Sequence, residues 1–440
     1  MRKLSIAAFF TLLITLFAPL FTVFADYTPP FEVSAEAVYV VNLDTDTVVY
    51  QKNADKKMYP ASLTKLMTTI LAFENTPDLD NTMVRCGAAV WDEFIGINIS
   101  SAGILPGEER SMRDLIYCML LPSANEAASI VASYVGGNRS DFVAMMNDKA
   151  QALGAVSTHY VNPHGLDDED QYTTAQDMYL IARYAMQLPG FMDIATSNSY
   201  TLVASNKRGQ QYINTTNHMQ EQGSDYYYQY IKGLKTGTTD EAGRCFVSTA
   251  TKNGYTYLIV LLGEPLYDAS GERLAENKAF ADTRKLYDWA FDSFEVKELL
   301  SIEQPVTEVA LKLNWDKDYM RLRAENEFSA LVPKAVGEGD VIQRFNVPPS
   351  VNAPVAKDDV IGTVELMVMG ARVGSVNLLA EEDAARSDVL YWFEIVKAAA
   401  KTVWFYIGIT LLVLLLIVMI IGSVVSGRRS RRPKFGSKRY

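Results

Sequence analysis

Hydrophobic positions fall first in two short runs, 35–42 and 47–53, both rich in Val and Tyr, with Leu43-Asp44-Thr45-Asp46 between them. Runs of that length broken by turn-forming residues predict a β-hairpin. From 62 to 73 the spacing changes to that of a helix. Much of 112–183 keeps the helical period, interrupted at Pro122, Gly136-Gly137 and Asn162-Pro163. Strand patterns return over 233–238, 244–252 and 255–263, where Asn253-Gly254 supplies a tight turn, and 274–291 reads as a closing helix. Strands at both ends of a helical middle, joined by hairpins rather than crossovers, predict an α+β fold: an antiparallel sheet flanked by helices, with a helical subdomain.

Beyond residue 294 the character changes. Short strand-like runs at 306–313, 319–324, 328–332, 341–347 and 362–368 predict a small all-β domain over 300–382, following a first domain over 32–294. Residues 387–401 read as a helix leading into 403–425, a stretch without a charge. At ~1.5 Å per residue that stretch is long enough for a hydrocarbon core of ~30 Å, and it predicts a transmembrane helix. Trp404 and Tyr406 mark its outer end, and Arg428, Arg429, Arg431, Arg432, Lys434, Lys438 and Arg439 make 426–440 a basic cytoplasmic tail. At the other end, Arg2 and Lys3 precede an apolar run from 4 to 24 and then Ala25, the pattern of a signal peptide over 1–25 cleaved before Asp26; an uncleaved anchor is the alternative. Both readings export the chain from Asp26 up to the span.

Composition fits a folded two-domain protein: 440 residues, 49% hydrophobic and 21% charged. All the cations of the two terminal segments can be set aside, because neither segment holds an acid. The exported part then carries 32 basic against 52 acidic residues, a net −20, which disfavours nucleic acid as a partner. Cys86, Cys118 and Cys245 are odd in number, and buried free thiols are the expectation. His159, His164 and His218 lack metal-ligand spacing and no His-Glu-x-x-His occurs, so neither a metal nor another cofactor is expected, and the three histidines read as loop or core residues.

Three short motifs stand in order: Ser62-Leu63-Thr64-Lys65, Ser123-Ala124-Asn125 and Lys235-Thr236-Gly237. Each alone is weak. Together, with the first at a predicted helix start, the second in the helical middle and the third on a strand, they match the motif set of penicillin-binding proteins and class A β-lactamases, with Ala124 in place of Asp. Longer stretches, 59–68, 162–166, 172–177 and 233–243, resemble the D-alanyl-D-alanine carboxypeptidase family, and the resemblance covers roughly 32–382. Gln171 departs from it where the family is expected to prefer histidine, as does a full span where many relatives use an amphipathic helix.

Residues three apart share a helical face, so Lys65 can reach the hydroxyl of Ser62. To act as its base Lys65 must be neutral, a state that burial and a second cation, Lys235, favour. A helix start at Ser62 also aims free N–H groups at a developing oxyanion. Gly237 is expected to leave room for an extended peptide beside its strand. The resemblance implies more. Ser62 would be the nucleophile that binds penicillin covalently, Ser123 would pass a proton to the leaving amine, and Asn125 would hold the peptide amide. Lys235 with Thr236 would receive the terminal carboxylate, and the N–H of Thr238 would complete the oxyanion hole. The implied substrates are peptidoglycan stem peptides, with β-lactam antibiotics as covalent inhibitors. Three alternatives stand beside this reading: a β-lactamase, a DD-endopeptidase and an inactive penicillin-binding-like scaffold. Against the first, no Glu-x-x-Leu-Asn precedes Lys235.

Overall fold

The computed structural model describes residues 27–429, so the predicted signal peptide and the tail beyond 429 lie outside the described residues. The chain divides into two compact units. One holds the residues up to Lys297 together with Ala330–Gly337; the other holds Glu298–Ser329 and the chain from Glu338 onward.

The first unit is built on a five-stranded antiparallel sheet in the order Thr47–Lys52, Ala37–Asn42, Tyr255–Glu264, Gly243–Lys252, Ile231–Thr239. Side chains alternate between faces along a strand, and both faces here are covered. Ala37, Tyr39 and Val41 pack into one core with Leu63, Leu66 and Ile70, while Val38 and Val40 join Phe280, Leu286, Tyr287 and Phe291 in another. The helix Lys278–Ser293 supplies those last four residues and shields the second face. On the first face lie Lys65–Asn75, Met112–Leu120, Asn125–Gly136, Arg139–Ala152 and Ala175–Gln187. Lys65–Asn75 is buried on every side for its first eight residues, as befits a helix at the centre of a core rather than at its surface. Ile231–Thr239 ends the sheet order and so leaves one edge unpaired within the sheet.

Polar side chains fix where the helices begin. Ser111, Asn138 and Thr174 each accept from the backbone N–H three residues on, at Asp114, Asp141 and Asp177. All three cysteines are buried free thiols.

The second unit holds a six-stranded sheet in the order Val341–Asn346, Val360–Val368, Ala371–Ala380, Tyr319–Ala324, Pro305–Lys312, Ser350–Asn352, antiparallel except for the last pair. Its longest strand, Ala371–Ala380, has no counterpart in the sequence reading, because Arg372, Gly374, Ser375 and Asn377 dilute its apolar pattern. Conversely, part of the run at 328–332, read as belonging to the small β-domain, groups with the first unit: Leu331 is buried with Phe291 and Phe294. Two helices come after the sheet, Asp388–Ala399 and Val403–Arg429. Among the described residues one helix is long and apolar enough to cross a membrane, over Val403–Ser423 with a mean hydropathy of 2.9.

Candidate active site

Ser62 lies in a tight 3-10 turn, Ala61–Thr64, that runs directly into the helix Lys65–Asn75. The helix proper therefore begins three residues later than the expected start at Ser62. Pro60 and Ala61 cause this: Ala61 takes a left-handed φ of 46°, which bends the chain sharply before the helix can propagate. Ser62 is part-exposed while Lys65 is fully buried, so the nucleophile candidate faces the solvent side and the amine lies beneath it.

Three acceptors surround that amine. Lys65 Nζ donates to Ser62 Oγ at 2.9 Å, to Asn125 Oδ1 at 2.8 Å and to the carbonyl oxygen of His164 at 2.6 Å. Burial, and then the positive charge of Lys235, hold Lys65 well below the ordinary lysine range; the charge of Glu126 acts in the opposite direction. Lys235 is itself buried, and burial pushes it down to about 7; its ammonium donates to the carbonyl oxygen of Thr236 at 2.9 Å.

Ser123 and Asn125 enter from the start of the helix Asn125–Gly136. Ser123 has a left-handed φ of 65°, and its buried hydroxyl has no hydrogen-bond partner in the protein. A strained residue holding an unsatisfied hydroxyl next to Asn125 is the kind of exception that marks a reacting site. Thr236 Oγ1 lies 2.6 Å from Thr216 Oγ1, and Thr216 is held in turn by its N–H to the Leu121 carbonyl. Thr238 pairs with Arg244 of the neighbouring strand, and its side chain is exposed.

Gly237 also has a contact that its sequence context does not announce. A side chain there would meet the Cβ of Ala61 at 3.0 Å and the N of Ser62 at 3.1 Å, so its smallness lets the edge strand approach the Ser62 turn. Gly165 does the same from the other side: with φ of 89°, it brings its backbone so close to Ala61 that a Cβ would sit on top of the Ala61 carbonyl oxygen.

The first motif, Ser62 to Lys65, the second, Ser123 to Asn125, and the Lys235 strand thus meet around one amine. A family profile described as D-alanyl-D-alanine carboxypeptidase matches residues 23–265, more than half of the chain. The chain belongs to the D-alanyl-D-alanine carboxypeptidase family. A second profile, described as the C-terminal domain of penicillin-binding protein 5, matches residues 294–386. Over 356 residues the chain is 27% identical to D-alanyl-D-alanine carboxypeptidase DacF of Bacillus subtilis, covering 80% of this chain and 86% of that one. Penicillin-binding protein 5 from Haemophilus influenzae superposes with a TM-score of 0.60 at 27% identity, covering 82% and 100% of the two chains. The carboxypeptidase DacD from Francisella tularensis shares the fold, with a TM-score of 0.66 at 24% identity over 82% and 96%.

Two features of this carboxypeptidase-family site were not legible as functional residues. His164 reads from sequence as a loop or core histidine, yet its main-chain carbonyl is a direct partner of Lys65. Its ring is buried: Nδ1 accepts from the N–H of Leu166, and Nε2 faces Glu93 Oε2 at 3.6 Å. Glu126, next to Asn125, is wholly buried and escaped notice because no motif names it.

Gln171, the departure from the family pattern, has a clear task. Its Oε1 accepts from the N–H groups of Val161 and Asn162, both at 2.9 Å, and its Nε2 donates to Asn162 Oδ1 at 3.1 Å. That Asn162 oxygen also takes the N–H of Gly165 at 2.6 Å. Gln171 therefore fastens the 162–166 loop, and with it the His164 carbonyl.

Proposed function

We propose that this enzyme removes the terminal D-alanine from peptidoglycan stem pentapeptides through an acyl-enzyme on Ser62, and that the same serine is acylated by β-lactams. The observation that carries this reading is the buried Lys65 amine, 2.9 Å from Ser62 Oγ and held below the ordinary lysine range. A neutral amine at that distance takes the hydroxyl proton as Oγ attacks the carbonyl carbon of the scissile bond. The oxyanion that forms is received by backbone N–H groups of Ser62 and Thr238. When the C–N bond breaks, the leaving amine of D-alanine needs a proton. Ser123, whose hydroxyl is free of protein partners, relays it from the Lys65 ammonium. Water then cleaves the ester and returns Ser62.

Substrate orientation derives from the neighbouring groups. Lys235 and the Thr236 hydroxyl take the terminal carboxylate, and binding that anion restores the proton that burial makes Lys235 ready to lose. Asn125 holds the peptide amide. The free edge of Ile231–Thr239 lets the extended peptide add alongside as a further strand. Release of the acyl group is slow for a penicilloyl ester, since the partners of Lys65 are a hydroxyl, an amide and a carbonyl rather than a water-positioning glutamate.

The helix Val403–Arg429 anchors the protein in the cytoplasmic membrane, with the catalytic unit on the outer side and the basic tail inside. Protease added to intact spheroplasts digests the body and spares a small membrane-embedded fragment; a protected body overturns this topology. For the reaction, the purified protein is given a pentapeptide and a cross-linked dimer side by side. Release of D-alanine from the pentapeptide, with a long-lived penicilloyl adduct on Ser62 by mass spectrometry, is the expected result. Cleavage of the dimer alone would make it an endopeptidase, rapid penicillin turnover without adduct a β-lactamase, and no labelling an inactive scaffold.

A further inference from the structure

Glu126 is fully buried one residue beyond Asn125, and its two oxygens are used unequally. Oε1 accepts from Ser101 Oγ at 2.8 Å and from the N–H groups of Ala102 and Gly103 at 2.7 and 2.9 Å, with Ile104 N at 3.4 Å. Oε2 is buried with no partner. The N–H of Asn125 meanwhile donates to the Ser100 carbonyl at 2.8 Å. One acid thus gathers the 101–104 loop onto the first turn of the helix that delivers Asn125 to Lys65. A buried carboxyl oxygen without a partner is costly, so a group kept in that state calls for a role beyond loop anchoring.

We propose that Glu126 is a positioning residue for acylation, tying the 101–104 loop to the Asn125 helix with one oxygen and setting the charge balance of the buried Lys65–Lys235 pair with its negative charge. The proposal rests on the reading of Lys65 as the base for Ser62. Two buried lysines without a counter-charge would drive Lys65 so far down that its neutral amine became a poor proton acceptor, and a base works best when its affinity for the proton is matched to the working pH. Glu126 acts against the combined effect of burial and Lys235.

Other groups around Lys65 do not supply this charge. From its own turn comes the Ser62 hydroxyl, from the Asn125 helix an amide, and from the 162–166 loop the His164 carbonyl. The His164 ring, backed by Glu93 and Arg139, is held below the usual histidine range by burial. Cys86 and Cys118 also feel Glu126, but burial pushes both thiols up, so they stay uncharged.

The test is the pH profile of Ser62 acylation by a fluorescent penicillin, on detergent-solubilised full-length protein, for wild type, Glu126→Gln and Ser101→Ala. Glu126→Gln keeps an oxygen for the loop and removes the charge. Its acid limb is expected to move to lower pH by about one unit, the scale of a nearby opposite charge, with a lower plateau rate. Ser101→Ala loosens the loop but leaves the charge, and its limb is expected to coincide with wild type. A Glu126→Gln limb that coincides with wild type overturns the proposal, as does a Ser101→Ala limb that moves equally far. If Glu126→Gln does not fold, Glu126→Asp, which withdraws the charge by one methylene, is expected to move the limb the same way by less; an unmoved limb overturns the proposal. Failure of wild type to acylate at Ser62 would instead remove the underlying reading of the reaction.

Discussion

Lys65 and His164 are 99 residues apart in the chain, and Lys65 Nζ donates to the His164 carbonyl oxygen at 2.6 Å. With Ser62 Oγ and Asn125 Oδ1 this carbonyl completes a compact, three-sided socket for an ammonium or amine. A planar guanidinium neither fits such a socket nor gives up its proton. Lys65→Arg is therefore expected to lower acylation by more than ~10²-fold, the range of a lost general base, as measured on the folded fraction of the variant. Lys235→Arg keeps the charge proposed to meet the substrate carboxylate and should retain a measurable fraction of activity, where Lys235→Ala loses most of it. Acylation rates with a fluorescent penicillin decide both: an active Lys65→Arg refutes the base assignment, and an inactive Lys235→Arg shows that fit outweighs charge there.

Gly237→Ala tests the packing of the Ser62 turn. The new methyl would lie 3.0 Å from Ala61 Cβ and 3.1 Å from Ser62 N, so the turn must shift by a few tenths of an ångström away from the Lys235 strand. Small misplacements of a nucleophile are expensive in rate, and the expected outcome is a roughly 10-fold or greater loss of acylation with a nearly unchanged melting temperature. Were the glycine needed only for room beside the peptide, substrate affinity would fall while the acylation step of a small β-lactam stayed normal.

The sheet, its hairpins and the three motifs were legible because each is encoded locally: a strand by its apolar run, Ser62 and Lys65 by their spacing of three, the hairpin of 244–252 and 255–263 by its Asn253-Gly254 turn. Gly237 was legible as a residue, whereas its close approach to Ala61 and Ser62 was not, since nothing local tells a strand glycine which neighbour it admits. His164 and Glu126 were missed for a related cause. His164 meets Lys65 through its backbone carbonyl and Glu126 holds the 101–104 loop from a position outside the motifs, and neither leaves a side-chain pattern at a recognisable spacing. The strand Ala371–Ala380 escaped because polar residues weaken its run while burial of Val373, Val376, Leu378 and Leu379 sustains it.

Gln171 gives a prediction at the loop. Gln171→Ala leaves the N–H groups of Val161 and Asn162 without their acceptor, and orphaned buried donors destabilise by about 2 kcal/mol. The same change frees Asn162 and hence the Gly165 and His164 backbone that closes on Lys65. A melting temperature lowered together with slower acylation is expected, whereas Gln171→Glu, which can still accept both N–H groups, should recover part of each. Unchanged acylation with unchanged melting would mean that the loop is held elsewhere.

The last prediction concerns stability and pH. Glu264, at the end of the central strand Tyr255–Glu264, is wholly buried, and burial followed by the charge of Asp282 pushes it up to about 8 from an ordinary 4.5. A folded value above the unfolded one means that the folded protein binds this proton more tightly, so the associated stability is complete below 4.5 and is lost as pH rises toward 8. Lys235 works in the other direction: depressed to about 7 from 10.5, it makes the folded state bind fewer protons, and its contribution to stability grows only above pH 7. Between about pH 5 and pH 7 the Glu264 effect therefore stands clear of the lysine. Glu264→Gln, neutral at every pH, should flatten the fall of melting temperature across that interval and be more stable than wild type above about pH 8. Calorimetric melting at half-unit steps checks this, and parallel profiles for the two proteins would mean that Glu264 is already ionised in the folded state.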